Sequence, residues 1–327
     1  MLSKLFGDMN FDYMDELSLS GCPFFFMIDF DIEQIVVLPK REALEKGIMF
    51  EFKDNKQVSL HEVEPKKLEL LSHPEDLESF KKGFDIVQNN LQLGNSYLAN
   101  YTCKTPVDTN YNLEDFFYQS KAKYKVYYQD HFVSFSPETF VEIKGNKIFT
   151  YPMKGTIDAS LPNAARALRE NPKEKAEHYT VVDLLRNDLS QVADLVEVDE
   201  FQRIDYLRTS QKDLLAMSSQ ISGVIKPQFI GKIGSIFREL LPAGSILGAP
   251  KVKTKEIISK AERNKRGWYT GVAGWFDGQN LDSCVLIRFI EKNKDQYFFR
   301  SGGGITHQSK LEEEYQEMIQ KIYVPIH

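Results

Sequence analysis

Cysteine is scarce in this chain: Cys22, Cys103 and Cys284 are the only three among 327 residues, and they lie far apart. No Cys-x-x-Cys pair occurs, so the three suit buried thiols in a reducing compartment better than a disulfide frame or a zinc site. Long apolar runs are missing as well. The longest, Pro23 to Ile28, is far too short to cross a bilayer. The opening residues, Met1 to Asp8, lack the apolar core of a signal peptide. These absences predict a cytoplasmic protein with no membrane partner. Positive charge is not in surplus: 41 Lys and Arg stand against 47 Asp and Glu, interspersed, for a net charge of −6. That balance gives no electrostatic case for a nucleic-acid partner, although a local site can still hold an anion. No linker, repeat, Walker loop, dinucleotide fingerprint or Ser-His-Asp pattern is present.

What is present is a chain with 42% hydrophobic residues, long enough for a sizeable core. Phe24 to Phe30 and Ile35 to Leu38 read as short strands. Leu77, Phe80, Phe84, Val87 and Leu91 recur at helical spacing, with Pro74 as the expected first helical residue. Gly94-Asn95 closes that helix, and Tyr97 to Thr105 reads as a strand. Residues 125–151 read as successive strands turning at Gly145-Asn146. A helix is expected from Pro172 to about Leu189, with Tyr179, Val182, Leu185 and Leu189 on one stripe. Strands over 194–198 and 213–225 follow, then helices over 228–241 and 250–263. Hairpins over 268–300, turning at Asp277-Gly278 and near Asn293, precede a last helix over 310–323. Hairpin-joined strands with helices in blocks predict an α+β fold, in which antiparallel sheets pack together and helices flank them.

Several residues are candidates for chemistry. Lys154 sits in the strand-like run Tyr151 to Thr156, ahead of a Gly-Thr turn. An ordinary ammonium is only about 0.04% neutral at pH 7, so a nucleophilic amine needs burial or neighbouring cations. Glu174 and Glu177 share one helix face, as do Glu314 and Glu317 on another. Facing one another, the four carboxylates would require a cation, and hard oxygen ligands suit Mg²⁺. Gly302, Gly303 and Gly304 precede the last helix, where bare amides can seat a carboxylate or phosphate. Arg288 ends an apolar strand as a potential carboxylate clamp. Lys321 lies four residues after Glu317, and Glu138 sits at a strand break as a potential general acid. Singly, each has an ordinary reading: a snorkelling lysine, solvated helix faces, a flexible turn, a salt-bridged arginine, a turn carboxylate. Together they describe a pocket for a small polyanion.

The ordered segments resemble the chorismate-utilising enzymes, namely the large subunits of anthranilate and aminodeoxychorismate synthase and the isochorismate and salicylate synthases. Those segments are Gly94 to Thr102, Ser136-Pro-Glu138, Pro152-Met-Lys-Gly-Thr156, Glu177 through Val182 to Asp188, Pro242 to Lys251, Arg266-Gly267 through Gly271, and Gly302-Gly-Gly-Ile305 through Glu317. They cover roughly residues 80–325, in family order. The resemblance implies a single large chorismate-binding domain of the anthranilate synthase large-subunit type. Residues 76–327 would form its catalytic core, and residues 1–75 a shortened N-terminal region packed on it.

Lys154 discriminates within the family, because anthranilate synthases typically carry alanine there and aminodeoxychorismate synthases lysine. The resemblance thus implies amination of chorismate to 4-amino-4-deoxychorismate, on the route to 4-aminobenzoate and folate. Lys154 would attack C2 as Glu138 protonates the departing C4 hydroxyl, and ammonia from a glutamine amidotransferase subunit would then add at C4. It further implies Mg²⁺ on Glu177 and Glu317, with Glu174 and Glu314 reaching it through water. Arg288, Tyr269 and the glycines would hold the enolpyruvyl carboxylate, with Lys321 near the ring carboxylate and Thr156 as a substrate-side hydroxyl. Lys251 lies in a shared motif that assigns it no chemistry. Leu98 replaces the glutamine or lysine that primes water in isochorismate and salicylate synthases. Ala216 lies near the histidine that anthranilate synthases link to pyruvate elimination. No Leu-Leu-Glu-Ser element of a tryptophan site is present. The alternatives are an anthranilate synthase large subunit and a non-catalytic chorismate-binding paralogue.

Overall fold

A computed structural model describes residues 7–53, 55–58, 66–207 and 213–326. The N-terminal segment read above for a signal peptide therefore lies mostly outside the described residues. The helices are α1 (Gly7–Leu19), α2 (Lys40–Glu45), α3 (Leu77–Gln92), α4 (Leu113–Gln119), α5 (Ala164–Glu170) and α6 (Pro172–Val192). They continue with α7 (Ile233–Leu240), α8 (Gly244–Leu247), α9 (Lys251–Ala261) and α10 (Leu311–Gln320). The strands begin with β1 (Phe24–Ile28), β2 (Ile35–Pro39), β3 (Ile48–Phe52), β4 (Asn55–Gln57), β5 (Leu70–Ser72) and β6 (Leu98–Thr109). Next come β7 (Tyr124–Tyr128), β8 (Phe132–Ser136), β9 (Thr139–Lys144), β10 (Lys147–Thr150), β11 (Met153–Asp158) and β12 (Ala193–Leu207). The last are β13 (Leu214–Ile225), β14 (Gly248–Ala249), β15 (Val272–Phe276), β16 (Leu281–Val285), β17 (Phe289–Asn293) and β18 (Gln296–Ile305).

The strands form two antiparallel nine-stranded sheets. The first runs β11-β13-β10-β9-β16-β15-β1-β2, with β12 on β13. The second runs β14-β6-β18-β17-β8-β7-β3-β4, with β5 on β6. The first 75 residues thus supply outer strands to both sheets. Strand β1 shows why the sheets pack face to face. Side chains alternate across a strand, so Phe24, Phe26 and Ile28 point to the helix-covered side, while Phe25 and Met27 enter the space between the sheets. There Phe25 stacks on Phe50 at 4.7 Å, and Phe50 lies 5.5 Å from Trp275. Helices α1, α6 and α7 cover the outer face of the first sheet, and α3, α9 and α10 cover that of the second. The α+β expectation holds.

Local boundaries moved where side chains outvoted the pattern. Helix α3 begins at Leu77, not Pro74, because Asp76 caps it by accepting the Ser79 amide at 2.7 Å. The buried stripe of α6 runs through His178, Val181, Val182, Leu185 and Leu189, whereas Tyr179 is 52% exposed. The helix expected over 228–241 is a short 3₁₀ turn (Pro227–Phe229) followed by α7. The turns at Gly145-Asn146, at Asp277-Gly278 and beside Asn293 all join paired strands. No helix among the described residues is long and apolar enough to cross a membrane.

Phe50→Ala, which empties the centre of the inter-sheet core, is expected to cost about 3–5 kcal/mol. Urea unfolding with a loss below about 1 kcal/mol would show that the sheets do not depend on this stack.

Candidate active site

Where β11 meets β18, two helices converge on bare backbone. Helix α6 starts behind the Asn171 cap with Pro172 at its first position, and it carries Glu174 in its first turn and Glu177 one turn later. Helix α10 repeats the arrangement with Glu314 and Glu317. A helix N-terminus favours negative charge, so each helix tolerates its outer carboxylate. Gly303 and Gly304 make the meeting possible. A Cβ on Gly303 would lie 3.3 Å from Glu317 Oε1 and 3.4 Å from Glu314 Oε2. One on Gly304 would lie 3.4 Å from Lys154 Nζ. On the lysine's own strand, Gly155 has φ +76°, and a Cβ there would stand 2.6 Å from Glu174 Oε2. The ladder shifts register between Lys154 and Thr156 at this point.

The glycine run therefore differs from its sequence reading. Gly302, Gly303 and Gly304 pair with Thr102, Tyr101 and Asn100 inside β18, not at a helix N-terminus. What they offer is surface without side chains. Lys321 Nζ donates to the Gly302 carbonyl at 2.9 Å and pairs with Glu317 Oε1 at 2.7 Å. Thr156 is exposed and pairs with the fully buried Ala216 on β13, which presents no functional side chain.

The electrostatics are those of crowded like charges. Burial, together with neighbouring carboxylates, raises Glu174, Glu177 and Glu314 above the ordinary glutamate range. Glu317, half-exposed, is also partly desolvated, but the Lys321 ammonium, with Lys154 and Lys173, outweighs that and holds it low. Burial pushes Lys321 down, against the pull of Glu317. Lys173, absent from the sequence reading, reaches Glu314 Oε1 at 4.0 Å, and Ser309 Oγ donates to the same atom at 2.7 Å. Among the described residues, no three His, Cys, Asp or Glu side chains are grouped closely enough to hold a metal. These partly buried, mutually repelling oxygen donors nevertheless have the chemistry that a hard divalent cation satisfies.

Glu138 occupies the break between β8 and β9. Its carboxylate accepts from Ser245 Oγ at 2.8 Å, and its backbone is tied to Ser136 and Val285. Burial raises its pKa above 4.5, with the Ser245 bond, Lys154, Arg288 and Lys321 opposing. Arg288, at φ +52°, lies 5.1 Å over the Tyr323 ring, and its buried Nε lacks a partner. Among the described residues neither Arg288 nor Lys154 makes an ion pair, and both lie in the field of Glu138. Tyr269 is buried beside Phe289, and burial pushes its hydroxyl up to about 12.

Two neighbours, Ser245 and His178, escaped the sequence reading besides Lys173. Leu98 was flagged from the resemblance, but its place was not: its Cδ1 would stand 3.1 Å from a Cβ on Gly304, on the side where Lys154 approaches. Ser245 carried no signal beyond its motif. His178 Nε2 shares a 2.7 Å bond with Ser219 Oγ, its Nδ1 has no partner, and burial, then Lys154, lowers it to about 4. Its place on the apolar stripe of α6 was the available clue. Two clefts elsewhere, about 280 Å³ beside Tyr101–Pro106 and about 330 Å³ beside Trp275–Asp282, contain none of the catalytic candidates.

Residues 34–327 match the family described as chorismate binding enzyme. The chain belongs to that family. It is 50% identical over 305 residues to an uncharacterised PabA-like protein of Pasteurella multocida, covering 93% of this chain and 94% of the relative. Aminodeoxychorismate synthase component 1 of Bacillus subtilis is 36% identical over 196 residues, 58% of this chain and 40% of that one. Anthranilate synthase component 1 of Saccharomyces cerevisiae is 34% identical over 186 residues, 54% and 36% respectively. The menaquinone-specific isochorismate synthase of Escherichia coli shares the fold, with a TM-score of 0.76 at 16% identity over 98% of this chain and 82% of that one. The chain is thus a chorismate-binding enzyme, and these relatives carry out different reactions, so the reaction must be argued from the pocket.

The raised pKa of Glu138 has a consequence for stability. A group raised on folding contributes stability that is fully present below its ordinary value, here 4.5, and lost as pH rises through its folded value. Glu138→Gln is expected to flatten that part of the thermal midpoint's pH profile. An unchanged profile contradicts the buried setting of Glu138.

Proposed function

We propose that this enzyme aminates chorismate to 4-amino-4-deoxychorismate, as component I of an aminodeoxychorismate synthase serving 4-aminobenzoate and folate formation. The observation that carries the proposal is Lys154 itself: an unpaired amine beside the bare backbone of Gly304, in the field of Glu138, with apolar Leu98 as its neighbour. A water-activating base at Leu98 would favour hydroxylation at C2, and leucine cannot supply one. In this reading the Lys154 amine bonds to C2 of the ring. Both ring double bonds shift, and the C4 hydroxyl leaves as water with the proton that Glu138 delivers. Ammonia then bonds to C4, both double bonds return, and Lys154 departs with its electron pair.

Arg288 and Lys321 hold the two carboxylates of chorismate, with Tyr269, Gly302, Gly303 and Gly304 lining the enolpyruvyl side and Thr156 at the rim. Glu177 and Glu317 would hold Mg²⁺, and Glu174 and Glu314 would support it through water. When bound, that ion would neutralise the acidic cluster and draw electron density from the ring carboxylate. Ammonia comes from a separate glutamine amidotransferase subunit in this proposal. Cys103 and Cys284 are buried, and burial pushes both thiols up, so neither suits glutamine hydrolysis.

Anthranilate formation is the second reading, favoured by the comparable identity to the yeast enzyme and opposed by Ala216 in place of a functional histidine. Purified protein with chorismate, Mg²⁺ and an ammonium salt is expected to yield 4-aminobenzoate once the lyase is added. Anthranilate with pyruvate would instead support the second reading. Lys154→Ala is expected to abolish product, and full activity in that variant would remove the lysine from the mechanism. Mg²⁺ is expected to raise the thermal midpoint of the wild-type chain but not of Glu177→Gln. Equal shifts in both would place the ion elsewhere.

A further inference from the structure

Lys251 is the one charged residue of the Pro242–Lys251 motif, and the chemistry above gives it no task. It opens α9, whose first turn contains no acid. A lysine at that end opposes the helix dipole, so a compensating partner is required. That partner is Asp188, near the end of α6, 4% exposed and 3.0 Å from Lys251 Nζ through Oδ1. Lys251 also donates to the Leu240 carbonyl at 2.7 Å. The same aspartate accepts the Gly244 amide, and a Cβ on Gly244 would lie 2.5 Å from its Oδ2. One buried carboxylate therefore fixes both the beginning and the end of the segment 241–251.

That segment is built of site contacts. Ser245 donates to Glu138. The Ile246 carbonyl accepts from Arg266 at 3.1 Å, and Arg266 is itself paired with Glu262 at 2.6 Å. Gly248 and Ala249 pair with Ala99 and Leu98, which places Leu98 beside Gly304 and Lys154. Helix α6, which supplies Asp188 at one end, carries Glu174 and Glu177 at the other.

We propose that the Asp188–Lys251 pair is a positioning device that holds Ser245, and through it Glu138, in register with the substrate pocket. Neither member touches substrate. A buried ion pair is often neutral for stability against an apolar replacement, so stability alone does not account for its place here. Its contribution is geometric: a small displacement of a proton donor is enough to cost a large factor in rate. The inference rests on the reading of Glu138 as the proton donor, and not on which amine is formed.

The test follows loss of chorismate by the full chain with Mg²⁺ and ammonium, whatever the product. Lys251→Met is expected to lower kcat about 10- to 100-fold while KM stays within about twofold. The basic limb of the kcat profile is expected to move to higher pH, because Glu138 loses a donor that favours its charged form. Lys251→Met/Ser245→Ala is expected to be no slower than Ser245→Ala alone, since both changes break one chain of contacts. Wild-type kcat in Lys251→Met, or losses that simply add in the double variant, overturn the proposal. If Lys251→Met does not fold, Asp188→Asn/Lys251→Met leaves no unpaired buried charge and is judged by the same two criteria. A wild-type chain that makes anthranilate overturns the product assignment and leaves this test intact.

Discussion

Two helices, α6 and α10, bring four carboxylates within one another's field beside backbone that carries no side chains. Glu314 and Glu317 of α10 lie against Gly303 and Glu174 of α6 against Gly155, and burial with mutual repulsion raises Glu174, Glu177 and Glu314. Such an arrangement persists only where cations oppose it. Lys321 and Lys173 do so directly, and Lys154 contributes to the field at Glu174, Glu177 and Glu317. The sheets fix the geometry, because Lys154 belongs to the first and the glycines to the second. A change in how the sheets pack would move the amine away from Gly304.

On the other side of the pocket the arrangement is reversed. Glu138 is a single carboxylate among Lys154, Arg288 and Lys321, and burial still raises it. One wall is acidic and offset by lysines; the other is basic and holds one acid. In the proposed reading a dianionic ring compound with a leaving hydroxyl would sit between them, carboxylates toward the cations and hydroxyl toward the acid. The loop 241–251 belongs to this wall through Ser245, and its attachment to α6 through Asp188 links the two walls.

Much of this was legible in the residues. Acidic pairs at helical spacing and Glu138 at a strand break are local patterns that the fold keeps, whereas the Gly-Thr turn expected after Lys154 is instead a register shift inside β11. Partnerships were not legible. Tyr179 fits the apolar period of α6 as well as its neighbours do, but the sheet packs against His178 instead. The three glycines look like a turn, yet β6 recruits them into a long ladder. Asp188 and Lys251 are 63 positions apart, and only the fold shows that they meet. Long-range pairing depends on how sheets and helices stack, and residue spacing carries no record of it.

The central claim is that Lys154 is a nucleophile toward the chorismate ring. The most direct measurement is intact-mass and peptide analysis of the protein held with chorismate and Mg²⁺ without any ammonia source. A mass gain of one chorismate less one water, mapped to the peptide containing Lys154, is the predicted result. Unmodified Lys154 under conditions where added ammonium restores turnover would contradict it.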